Sequence, residues 1–139
     1  MIDFAYQTNF ELQDHVNYIS WLRSVADSHD ATIVNVGFVF CDDEYVLEMN
    51  QKHLSHDTYT DIITFDYGSQ DLLEGEIYIS VDRVKANADE YQISFVEELK
   101  RVMAHGVLHM IGFGDHDAEE KSVMRTMEDK AIELFHVKH

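Results

Sequence analysis

The chain has 139 residues, 45% of them hydrophobic, which suits one ordinary domain with a sizeable core and leaves too little for two. Its 27 acidic against 10 basic side chains give a formal charge of −17, which repels polyanions at long range and argues against non-specific nucleic-acid binding, without excluding a local basic or cation-bridged face. A single cysteine excludes an internal disulfide and any CxxC pair, so a tightly held metal must rely on histidines and carboxylates.

No basic start leads into an apolar run with a small-residue cleavage site, and no window approaches the roughly 20 apolar residues that span a bilayer. A soluble, cytoplasmic protein without membrane partners is expected. Proline is absent and no Gly/Ser-rich linker interrupts the chain, so residues 1–139 read as a single domain.

A short strand is expected near Ile2 to Tyr6. Leu12, Val16, Ile19, Leu22, Val25 and Ala26 then recur at helical spacing, which predicts a helix from Glu11 to Ser28. Thr32 to Phe40, dense in Val and Phe, reads as a strand, with Cys41 beside it as a small buried hydrophobe. The acidic turn Asp42-Asp43-Glu44 suits a helix N-terminus, and the helix it opens should end near Leu54. Ile62 to Tyr67 and Glu76 to Val81 read as two strands joined by a loop through Gly68 and the acidic Asp71 to Glu74, with a short helix starting at Asp82.

From Ser94 the pattern sharpens. Ser94 and Glu97 have capping-box spacing, Phe95, Leu99, Val102, Met103, Val107, Leu108 and Ile111 form an apolar stripe, and Gly112 is its natural stop. A last helix, Ala118 to Phe135, is capped by Asp117. The expected fold class is α+β: a small mixed sheet of about four strands flanked by about five helices.

His105 and His109 stand four apart on the capped helix, so both imidazoles project from one face and can reach one ion. The turn after Gly112 delivers two further potential ligands, Asp115 and His116, toward the same place. Two imidazoles and one additional side chain leave a coordination position open, the mark of a catalytic rather than a structural ion. The plainer account is that Asp115 and Asp117 cap the last helix. Gly106 stands where a zinc peptidase helix carries its general base, which removes the usual peptidase mechanism.

His105-Gly106-Val107-Leu108-His109-Met110-Ile111-Gly112-Phe113-Gly114-Asp115 resembles the signature of the YbeY family, H-G-x-L-H-x-x-G-[YF]-x-[HD]. Asn50 followed by Asp57-Thr58-Tyr59-Thr60-Asp61-Ile62-Ile63-Thr64-Phe65 resembles that family's D-x-x-T-D-V-L-[ST]-F motif, and Gly75-Glu76-Ile77-Tyr78-Ile79-Ser80 its G-D-I-x-I-S strand, with Glu76 for the usual Asp. The resemblance implies a zinc-dependent endoribonuclease specific for single strands, with one ion per chain at the histidine motif. It also implies action in 16S rRNA 3′-end maturation and late 70S ribosome quality control. The implied partners are rRNA within the ribosome and a basic ribosomal protein or assembly GTPase.

Two departures stand out. Where the family usually has a third histidine, this chain has Asp115, with His116 one residue later; the apolar positions downstream stay in phase without a gap, which favours Asp115 and leaves His116 as the alternative. The family's usual arginine after Asn50 is Leu54 here, and such an arginine would stabilise charge on a transferring phosphoryl group. Lys52 or Arg83 are candidate substitutes. Asp57, Thr60 and Asp61 are candidates for a substrate cleft, although acids at such turns commonly bond their own backbone and β-propensity accounts for the threonines. The rival function is a catalytically weak ribosome-assembly factor that binds rRNA or a ribosomal protein.

Overall fold

The computed structural model describes residues 1–54 and 60–135, with the backbone alone for residues 53 and 54. Asp57 therefore lies outside the described residues. In chain order the elements are β1 (Ile2–Tyr6), α1 (His15–Asp27), β2 (Thr32–Cys41), α2 (Asp43–Leu54), β3 (Ile62–Asp66), β4 (Leu72–Ser80), α3 (Val81–Tyr91), α4 (Phe95–Ile111) and α5 (Ala118–Phe135). The four strands form one mixed sheet in the order β1-β2-β4-β3, with β1, β2 and β4 parallel and β3 antiparallel to β4 at the edge. The α+β class is as expected.

Alternation along the strands feeds two apolar clusters on opposite faces. Phe38, Phe40, Ile77 and Ile79 point into the large core beneath α1, α4 and α5, whereas Cys41 and Ile63 meet Val46 of α2 on the other side. Each large side chain fully withdrawn from water contributes on the order of 1.5–3 kcal/mol, so Trp21, Phe38, Phe40 and Met103 anchor the larger cluster. Trp21 also donates its indole N–H to the Ala131 carbonyl at 2.7 Å, tying α1 to α5.

Two expected boundaries move. The first helix starts at His15 rather than Glu11, because Asp14 takes a left-handed conformation (φ 60°) and separates Leu12, which is buried, from the helix proper. Within that helix Tyr18 and Trp21 face the core and Val16 is exposed. The fourth strand begins at Leu72, not Glu76, because Leu73 packs in the core and Thr32 to Ile33 of β2 pair with Leu72 to Leu73. Ser94 caps α4, its hydroxyl accepting from the Glu97 amide at 3.1 Å, and Asp117 caps the start of α5 by accepting from the Glu120 amide at 2.7 Å.

Candidate active site

Helix α4 carries both the deepest core contacts and the polar residues of a cleft, and Gly106 makes that double duty possible. A Cβ at Gly106 would lie 2.9 Å from Ile77 Cδ1 and 3.0 Å from Ile62 Cδ1. The helix thus lies directly on β3 and β4, which brings His105 to the beginning of β3, beside Asp61. Any side chain at position 106 would have to displace these isoleucine ends, so the close approach of α4 to the sheet favours glycine there. At the other end Gly112 adopts φ 125°, a conformation natural to glycine, and turns the chain back so that Asp115 faces α4.

The result is a cleft of about 430 Å³ between α4, α5, α3 and the start of β3. His105, His109, Asp115, Thr60 and Asp61 all line it. His116 does not: it is exposed, and its amide donates to Glu120 Oε1 at 3.0 Å. Of the two substitutes considered for the absent arginine, Arg83 is held by Asp43 at 3.1 Å and Lys52 is exposed on α2, and neither lines the cleft.

Four charged residues of the site escape sequence reasoning, Glu128 and Arg125 on α5 and Glu98 and Arg101 on α4, as do Asn87 and Tyr91 on α3. Glu128 is buried at 6% exposure, with Oε2 2.8 Å from His105 Nδ1 and Oε1 3.1 Å from Arg101. Arg101 also reaches Asp129 at 2.8 Å. The sequence signal for Glu128 is its place in an otherwise apolar stripe: it stands four residues after Met124 and three before Ala131, both buried. Glu98, Arg101, His105 and His109 share one face of α4 at spacings of three and four.

The electrostatics are those of a crowded acidic hollow. Burial alone would lower the pKa of His105, but the hydrogen bond and charge of Glu128, aided by Asp115 and Asp61, outweigh it and raise the pKa. Burial raises the pKa of Asp61, against the pull of His105. Burial also raises that of Glu98, with Asp61 and Glu128 adding to it while Arg101 and Arg125 oppose. Glu98 is 3% exposed, and its Oε1 has no hydrogen-bond partner among the described residues.

With Nδ1 engaged by Glu128, the other ring nitrogen of His105 faces Asp115 Oδ2 at 3.4 Å. A carboxylate behind a histidine is the arrangement that fixes ring orientation in metal-binding imidazoles, and two imidazoles with a carboxylate are a donor set that zinc accepts. In chemistry these residues fit such an ion. Among the described residues, however, no three His, Cys, Asp or Glu side chains are already drawn together as a ligand group.

Comparison with known proteins agrees over nearly the whole chain. The model of the family described as Endoribonuclease YbeY matches residues 4–136. The Endoribonuclease YbeY of Flavobacterium psychrophilum is 48% identical over 138 residues, covering 99% of each chain. That of Flavobacterium johnsoniae is 44% identical over 137 residues, again covering 99% of each. Among solved structures, a Thermotoga maritima protein determined in solution superposes with a TM-score of 0.69 at 24% identity, covering 97% of this chain and 89% of its own, which speaks to the fold.

Proposed function

Because this chain belongs to the endoribonuclease YbeY family it is an endoribonuclease, and we propose that it cleaves single-stranded RNA with a zinc ion held by His105, His109 and Asp115. The observation that carries this reading is the chain of contacts from Glu128 through His105 to Asp115, at 2.8 and 3.4 Å, in a cleft that His109 also lines. When bound, zinc supplies a Lewis acid for a phosphate oxygen and a means of ionising water near neutral pH. Glu128 holds the His105 ring in one orientation, and Arg101 holds Glu128. Asp61 and Thr60 form the wall against which the sugar-phosphate backbone would lie.

The physiological substrate in this reading is rRNA, at the 3′ end of 16S rRNA and in 70S ribosomes under quality control, in the cytoplasm. No helix among the described residues is long and apolar enough to cross a membrane. A charge of −17 favours recruitment through a basic ribosomal protein or an assembly GTPase, since long-range repulsion works against unaided RNA binding.

The same charge, together with Leu54 in place of the family's arginine, supports a second reading as an assembly factor of weak hydrolytic activity. The test is cleavage of a 3′-extended 16S rRNA fragment by wild type and His109→Ala, prepared side by side with and without chelator. Zinc-dependent cleavage by wild type alone is the expected result; equal cleavage by both proteins, or cleavage that survives exhaustive chelation, overturns the metal mechanism.

A further inference from the structure

We propose that Arg125 is the residue that grips the RNA phosphate in this cleft, supplying from α5 the positive charge that the carboxyl groups lining it make necessary. The proposal rests on the endoribonuclease reading and concerns the same cleft. Asp61, Glu98, Asp115 and Glu128 already line it, so a phosphodiester entering there meets four carboxyl groups and needs a compensating cation.

Among the described residues only two Lys or Arg side chains line the cleft, Arg101 and Arg125. Arg101 is committed: one terminal nitrogen donates to Glu128 at 3.1 Å and the other to Asp129 at 2.8 Å. Withdrawing it to bind substrate would strip Glu128 of its cation and loosen His105. Arg125 carries no such burden, since no ion pair or hydrogen bond engages its guanidinium among the described residues. It sits three residues before Glu128 on the same helix, hence on the same wall, and is exposed at the mouth of the cleft. Its charge already reaches inward, since it opposes the upward shift that burial imposes on Glu98. A guanidinium with its donors uncommitted presents the planar fork that binds two phosphate oxygens at once, which a lysine ammonium does not.

The experiment measures binding and cleavage separately, using a fluorescent single-stranded RNA oligonucleotide and zinc-loaded full-length protein. Arg125→Ala is compared with Arg125→Lys, and Lys121→Ala on the same helix serves as the surface-charge control. Thermal melts confirm that each variant folds. Arg125→Ala is expected to weaken binding about tenfold or more, the scale of a lost charge-assisted bond, and to flatten the dependence of log K on log salt by about 0.7. Arg125→Lys should keep the salt slope yet cleave poorly. Added ethylguanidinium should restore cleavage to Arg125→Ala and leave wild type unchanged, a rescue that a merely structural role would not show.

If wild type binds and cleaves and Arg125→Ala equals it in both, the proposal falls while the endoribonuclease reading stands. If wild type binds without cleaving and Arg125→Ala loses the binding, the reading falls and the phosphate grip stands. If wild type neither binds nor cleaves, both fall.

Discussion

Glu128 Oε2 lies 2.8 Å from His105 Nδ1, so the last helix fixes the ring of the first histidine in the motif carried by α4. The contact spans 23 residues of sequence and is itself braced by Arg101 at 3.1 Å. Site geometry thus depends on how α5 docks against α4, through Met124 and Ala131 in the shared core.

Glu128→Gln tests that dependence. The amide keeps the volume and one acceptor but loses the charge that orients both His105 and Arg101. Loss of a carboxylate partner behind a metal-binding histidine lowers metal affinity or activity by about 10–100-fold, and that is the expected result here. Zinc titration and RNA cleavage read it directly. A variant indistinguishable from wild type in both would show that the contact does not orient the ring.

Gly106→Ala addresses the packing beneath the site. The added methyl would meet Ile77 and Ile62 at 2.9 and 3.0 Å, and both neighbours belong to the crowded interface between α4 and the sheet. A destabilisation of about 1–3 kcal/mol is expected from such overpacking. Urea denaturation measures it, and a midpoint equal to wild type would mean that the isoleucines shift at no cost.

The elements most legible in the sequence are those whose signals are local. Ser94, the apolar stripe and Gly112 define α4 because cap, periodicity and stop all act within one helix. The start of β4 was hidden because the charges of Asp71 and Glu74 suggest a loop, while the strand is set by pairing with β2, some forty residues away. Glu98 and Glu128 were hidden for a related reason. A carboxylate reads as a solvated side chain, and its burial depends on partners that other elements bring, such as Arg101 for Glu128. The histidine pair was visible because its spacing is helical; the residues that orient it were not.

Cys41 yields a pH prediction outside the site. It is fully buried, and burial foremost, with Asp42 adding to it, pushes its thiol from the ordinary 9.0 up to about 12. The folded state therefore holds this proton more tightly than the unfolded state. The corresponding stability is fully present below about pH 9 and is lost as pH rises toward 12. Urea midpoints should fall across that window, and the fall should be shallower in Cys41→Ala. At pH 8 the native thiol should resist a thiol-specific reagent and react promptly once urea unfolds the chain; rapid labelling of the native protein would contradict this account.

Metal removal and the choice of third ligand can be resolved together, without relying on activity. An ion that binds only the folded state stabilises it by about 2.7 kcal/mol at a hundredfold excess over its dissociation constant, which for a domain of this size raises Tm by roughly 5–10 °C. Chelated wild type should therefore melt lower and recover when zinc is restored. Asp115 lines the cleft and faces His105 at 3.4 Å, whereas His116 is exposed with its amide bound to Glu120. Asp115→Ala should accordingly abolish the zinc-dependent rise and His116→Ala should preserve it. The opposite pattern would move the third ligand to His116, and it would require the turn after Gly112 to rearrange, because Asp117 pins the following helix through its cap to Glu120. No rise in wild type would remove zinc from the mechanism and leave the Glu128–His105 pair to hold a ring that works without it.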